Sequence, residues 1–158
     1  MTQLKVRDLM TTQVVTLKPG DTVKRATIKF AVDNISGAPV VDNRNHLVGI
    51  ISEDDILNLI VRRQEKMGTG GGKMLSYPMD SEIENVALQD AADEVSNTKV
   101  EDIMTRSVLT TTPDAVIVDV LKAMLERKIN RVPVLEKGVL VGIISRGDIV
   151  FHIYKKKV

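Results

Sequence analysis

One short pattern, Gly-Ile-Ile-Ser-x-x-Asp, occurs twice, at Gly49 to Asp55 and at Gly142 to Asp148, and it is where residue type and spacing could do chemistry. In each copy an apolar run gives way to a Ser followed three residues later by an acid, the spacing of a helix-capping box. Such a box satisfies N–H groups that a helix start leaves without partners. The third residue after the Ser is usually Glu or Gln in a box, whereas both copies use Asp. A short carboxylate beside a helix N-terminus is also what a ribose diol needs: an acceptor-only group for two hydroxyls, with backbone amides nearby for phosphate. From these residues alone the cap and the ligand contact both stay open.

No other group assembles a catalytic site, and no enzyme is expected. His46 and His152 are far apart in sequence and lack a neighbouring acid at ligand spacing, so each reads as a solvated or packing histidine. Ser52 and Ser145 have no His partner pattern and sit in no Gly-x-Ser-x-Gly turn. With no Cys there is no disulfide framework, thiolate metal site or thiol nucleophile. Gly72-Lys73 falls short of a P-loop, because Met67 stands where the first Gly belongs and Met74 follows the Lys.

The elements that must position these junctions are themselves doubled. A β-rich piece (Val14 to Leu17; Val108 to Thr111) leads to a Pro and a polar helix start, Gly20 to Thr22 or Asp114. Val23, Ala26 and Phe30, then Val116, Val120 and Met124, are spaced for one buried helix face. A short apolar strand, a turn (Asp42 to Asn45; Glu136 to Gly138) and a second strand (Leu47 to Ile51; Val139 to Ile144) follow. A closing helix (Glu53 to Arg63; Arg146 to Tyr154) ends each copy, so the order is β-α-β-β-α twice. Each half, at roughly 55 residues, is too small to be comfortable alone, which suggests a shared core. Between the copies, Met67 to Lys73 reads as a glycine-rich flexible linker, and Asp80 to Val95 as an acidic helix with Ile83, Val86, Ala87, Ala91 and Val95 at helical spacing.

Composition narrows the partners. A net charge of +1 gives no whole-molecule field to attract nucleic acid or an anionic membrane. Aromatics at 3%, with no Trp, leave few platforms for stacking single-stranded bases. The first residues lack the apolar run of a signal peptide, and no stretch approaches the ~20 apolar residues that span a bilayer, so a cytoplasmic, soluble protein is expected.

With the Val-x-Asp-Ile/Leu-Met-Thr lead-in (Val6 to Thr11; Val100 to Thr105), the x-x-Pro-Val strand (Gly37 to Val41; Arg131 to Leu135) and the Gly-Ile-Ile-Ser-x-x-Asp exit, the chain resembles a tandem pair of cystathionine-β-synthase (CBS) domains, a Bateman module. The resemblance implies an α/β (α+β) fold of two β-α-β-β-α repeats packed through their sheets with pseudo-twofold symmetry. The repeats would cover residues 1–63 and 100–158, the latter ending in a basic tail, with 64–99 as linker. It implies clefts for adenosine-containing ligands, AMP, ADP, ATP or S-adenosylmethionine, with no tightly bound cofactor. The family's ribose-binding Asp falls on Asp55 and Asp148, the Ser before it on Ser52 and Ser145, and the strand residues flanking adenine on Ile50 and Ile143. The loops meeting the base fall at Met10, Thr11 and Thr12 and at Met104, Thr105 and Arg106. The position two before the strand Pro, often Arg in phosphate-binding members, falls on Gly37 and Arg131.

The copies differ in charge. Copy two has Arg131 and Arg146, cations suited to phosphate, where copy one has Gly37 and Glu53, with Asp54 beside it. Copy two is therefore expected to be the better phosphate site, leaving copy one empty, holding a non-phosphorylated adenosine, or borrowing cations from another subunit. The function expected is a non-catalytic regulatory module that binds an adenosine ligand, pairs into a homodimer and signals to a separate effector protein. The alternatives are a ligand-free structural or interaction module, in which the Ser-x-x-Asp pairs are only caps, and a polyanion or nucleic-acid binder using the arginines with Lys155 to Lys157.

Overall fold

A computed structural model describes residues 3–67 and 81–155. In the first copy α1 (Val6–Leu9) is a single turn, and α2 (Val23–Asp33) starts at Thr22, whose Oγ1 accepts the Arg25 N–H at 3.1 Å. Helix α2 buries Val23, Ala26 and Phe30, the expected face, and ends on Asn34 in the left-handed region at φ 54°. Strands β1 (Gly37–Val41) and β2 (Leu47–Ser52) form a two-stranded sheet, and α3 (Glu53–Met67) leaves β2 with no intervening loop. Its first turn carries Glu53, Asp54 and Asp55, favourable charges at a helix N-terminus.

The second copy repeats this order with α5 (Ile117–Arg127), β3 (Arg131–Glu136), β4 (Val139–Ser145) and α6 (Arg146–Lys155). Strands β3 and β4 are antiparallel, pairing Arg131 with Ser145, Val132 with Ile144 and Pro133 with Ile143, with a register shift between Val134 and Leu135. Helix α5 begins later than Asp114 suggests: its N-cap is Val116, which makes no side-chain cap bond. Asp114 instead takes the Arg7 guanidinium at 2.6 Å.

The leading β pieces shrink to single bridges. Thr111 bridges Val134 in parallel, its N–H donating to Pro133 O at 3.0 Å and its carbonyl accepting from Leu135 at 2.8 Å. Pro113 has no N–H with which to carry the ladder further. In copy one only Leu17 of Val14 to Leu17 is in a bridge.

Two compact units cross the repeat boundaries. One comprises the described parts of Met1–Thr16, Pro39–Gly49 and Arg106–Val158, the other those of Leu17–Ala38 and Ile50–Thr105. In the first unit the lead-in of copy one completes the core of copy two: Val6 is fully buried with Ile117, Val120, Met124, Val132, Val134, Ile144 and Ile149. Lys5 bridges Val116, and the Val6 N–H donates to Ala115 O at 2.9 Å. In the second unit the lead-in of copy two does the same for copy one. Val100 donates to Asp21 O at 2.8 Å, and Val23 donates to Thr98 O at 2.8 Å. A half-size domain with too little core gains buried apolar surface by this exchange.

The acidic segment between the copies forms α4 (Ser81–Val95), which packs against α3. Ala91 and Val95 are buried there, Val86 is exposed, and Arg63 of α3 pairs with Glu94. The glycine-rich stretch after Met67 and the last residues of the lysine tail lie outside the described residues. No helix of the described residues is long and apolar enough to cross a membrane.

Candidate ligand-binding site

Both Ser-x-x-Asp pairs close as reciprocal caps at direct strand-to-helix junctions. The Ser145 N–H donates to Asp148 Oδ2 at 3.1 Å, and the Asp148 N–H donates to Ser145 Oγ at 3.0 Å. In copy one the Ser52 N–H donates to Asp55 Oδ2 at 2.9 Å, and the Asp55 N–H reaches Ser52 Oγ at 3.3 Å. Asp closes the box here in place of Glu, at a junction where the strand runs into the helix with no intervening loop. Only Oδ2 of each carboxylate has a hydrogen-bond donor among the described residues. Asp55 and Asp148 are both half-buried, so each keeps solvent access.

The lead-in loops are exchanged between these junctions. Thr11 and Ile143 form an antiparallel bridge, each N–H donating to the other's carbonyl at 2.9 Å. Thr105 and Ile50 do the same, at 2.9 Å and 2.8 Å. Thr11 and Thr12 therefore accompany Ile143, Ser145 and Asp148, while Thr105 accompanies Ile50, Ser52 and Asp55. Arg106 follows Thr105 and is exposed. Gly142 explains itself in this arrangement: a Cβ there would stand 2.9 Å from Met10 Sδ and 3.0 Å from Thr11 O. That demand was visible in sequence only as a Gly recurring at the same place in both copies.

Charge separates the two junctions. Arg131 sits opposite Ser145 in the β3–β4 pair, and directly opposed residues send their side chains to the same face. Arg146 bonds to backbone carbonyls, Nε to Ile129 O at 2.8 Å and Nη2 to Met124 O at 3.0 Å. Gly37, buried, and Glu53 and Asp54, both exposed, occupy the matching region of copy one. Farther off, the hydrogen bond and charge of Arg7 hold the Asp114 carboxyl below its ordinary range, and Asp114 in turn raises the Arg7 guanidinium.

His152 lies one turn after Asp148 on α6 and His46 just before β2, but neither histidine hydrogen-bonds to a junction residue among those described. His46 lies in the β1–β2 turn with Nδ1 at 3.7 Å from Asp42 Oδ1, an acid four residues away that the expectation of no neighbouring acid overlooked, while His152 on α6 has a buried Nε2 with no hydrogen-bond partner among the described residues. Among the described residues no group of His, Asp or Glu converges with the spacing of a metal site.

The family model of the CBS domain matches residues 6–62 and 100–155. An uncharacterized protein of Methanocaldococcus jannaschii is 33% identical over 149 residues, covering 92% of this chain and 88% of that protein. The crystal structure of CBSX2 in complex with AMP is 27% identical with a TM-score of 0.72, covering 98% of both chains. CBSX2 from Arabidopsis thaliana, in a second structure, gives a TM-score of 0.76 at 27% identity over 99% of this chain and 98% of that one. Other curated relatives are longer, and this chain spans 41%, 32% and 56% of three of them.

Proposed function

Since the chain belongs to the CBS domain family, carrying the domain as a tandem pair, we propose that it is a non-catalytic regulatory module that binds an adenosine-containing ligand, first of all at the Asp148 junction. The observation that carries this is the division of labour in the carboxylate: Oδ2 caps α6, and Oδ1 is left to accept from ribose hydroxyls beside the helix N-terminus. Ile143 flanks the base. Because the N–H and carbonyl of Thr11 are both engaged with Ile143, Thr12 is the residue that presents backbone groups to the adenine. Arg131, on the face that carries Ser145, addresses phosphate. CBSX2, similar along almost its whole length, was crystallised with AMP, which supports an adenosine ligand here.

Copy one offers the same carboxylate at Asp55 with Ser52 and Ile50, and with Thr105 bridged to Ile50, but its exposed Glu53 and Asp54 disfavour phosphate. A homodimer completes the proposal. Leu57 and Val61 on α3 are exposed at 56% and 46%, and Val150 and Tyr154 at the matching positions of α6 at 53% and 64%. An exposed pair at the same two positions of both copies, Leu and Val in one and Val and Tyr in the other, suits a self-complementary interface. Regulation follows only where the ligand binds two states of the module or of its effector complex with different affinity.

A ligand-free interaction module is the second reading, favoured by caps that are complete without a ligand. A thermal-shift screen separates the two. At ~100 times its dissociation constant, a ligand specific for the native state contributes about 2.7 kcal/mol. That is on the order of 5–10 °C for a chain of this size. The proposal expects such a shift for adenine nucleotides and none for guanosine or pyrimidine counterparts. No adenosine-selective shift, with no ligand retained on natively purified protein by mass spectrometry, supports the ligand-free module instead.

A further inference from the structure

Arg146 bonds to three backbone carbonyls at and beside the α5–β3 connection of copy two. Its Nε donates to Ile129 O at 2.8 Å and its Nη2 to Met124 O at 3.0 Å, while its backbone N–H donates to Asn130 O at 2.9 Å. Met124 O lies in the last turn of α5, where it also accepts from the Lys128 and Ile129 N–H groups and where a cation meets the negative end of the helix dipole. The bonded residues bracket the connection from α5 to β3, including Lys128, whose φ of 57° is left-handed. Arg131 is the next residue, opposite Ser145. In copy one Glu53 takes the place of Arg146. Its N–H keeps the backbone bond, to Ser36 O at 2.9 Å, but a carboxylate has no hydrogen to give a carbonyl.

We propose that Arg146 is a positioning residue: its planar fork fixes the α5–β3 connection and thereby aims Arg131 at the phosphate of a ligand held by Asp148, which makes copy two the phosphate-specific site. This rests on the assignment of the Asp148 junction as an adenosine-ligand site. A guanidinium suits the task because its donors are rigidly spaced and can bond two carbonyls at once. The charge difference between the copies then acts through backbone order rather than through two arginines facing the phosphate together.

The experiment is a calorimetric double-mutant cycle on the full chain, titrating AMP and adenosine into wild type, Arg131→Ala, Arg146→Ala and the double variant. Arg146→Ala should weaken AMP by about three- to tenfold in the wild-type background and by less than about twofold in the Arg131→Ala background, with adenosine little changed in either. Arg146→Lys retains the charge but not the fork, and should lose AMP affinity as Ala does. It also keeps the aliphatic stem, so it carries the test if Arg146→Ala does not fold. Additive losses in the double variant, or wild-type AMP affinity in Arg146→Lys, would show a direct charge contact and overturn the positioning role. Equal losses for AMP and adenosine would reduce Arg146 to a structural clamp and overturn it as well. A wild-type protein that binds neither ligand refutes the functional assignment itself, and the specificity role falls with it.

Discussion

Ser145 and Asp148 cap one another across the first turn of α6, with N–H to Oδ2 at 3.1 Å and N–H to Oγ at 3.0 Å, and the exchange uses one oxygen of the carboxylate. Capping and ribose binding therefore draw on the same residue without competing for the same atom. The cap also holds the carboxylate in one rotamer, so a ligand would meet an acceptor that needs little further ordering.

Gly142→Ala should destabilise the first compact unit. Met10 Sδ can turn away from the new methyl, but Thr11 O, 3.0 Å away, is backbone held on both sides by its bridge to Ile143. Overpacking of this kind costs about 1–3 kcal/mol, at roughly 2–4 °C in melting temperature per kcal/mol. AMP affinity should fall with it, since Thr12 moves with Thr11. An unchanged melting temperature would show that the lead-in does not cross β4 as closely as described.

Arg131→Ala should weaken AMP and spare adenosine. A charge-assisted hydrogen bond to phosphate contributes about 1.5–3 kcal/mol, roughly tenfold to a hundredfold in affinity. Calorimetry with the two ligands measures the difference directly, and equal losses for both would remove Arg131 from the phosphate site.

Stability should lose the contribution of the Arg7–Asp114 pair only toward acid pH. Asp114 has its folded-state pKa lowered below the ordinary 3.8, first by the hydrogen bond from Arg7 and then by its charge. A depressed carboxylate stabilises the fold above its unfolded pKa, and the contribution is lost as pH falls through the folded value. Wild type should therefore melt above Asp114→Asn near neutrality, with the gap closing below 3.8 and shrinking in high salt because both groups are exposed. A gap that stays constant into acid, measured by melting curves across pH, would contradict this.

The parts of the fold that were legible in sequence are those set by neighbours along the chain. The buried face of α2 follows from Val23, Ala26 and Phe30, and the caps follow from Ser and Asp three residues apart. What escaped depends on residues remote in sequence. Asp114 looked like a helix start, but Arg7 takes its carboxylate and α5 begins at Ile117. The acidic stretch showed helical spacing, yet nothing local revealed that α4 would pack on α3 with Glu94 meeting Arg63. The pairing of Thr11 with Ile143 and of Thr105 with Ile50 was equally hidden, because the repeats alone suggest that each lead-in serves its own copy. Arg146 drew notice for its charge, whereas its bonds to Ile129 and Met124 depend on where the end of α5 lies.

The most direct test of an adenosine site at Asp148 is titration of AMP into folded Asp148→Asn protein beside wild type. The Asn carbonyl can keep the bond from the Ser145 N–H, so the cap and the melting temperature should survive nearly intact. Its amide nitrogen then replaces Oδ1, setting a donor where ribose hydroxyls need an acceptor, and affinity should fall by roughly tenfold to a hundredfold, about 1.5–3 kcal/mol. Wild-type affinity for AMP, ATP and S-adenosylmethionine alike in Asp148→Asn would contradict the assignment and leave the Ser145–Asp148 pair as a helix cap alone.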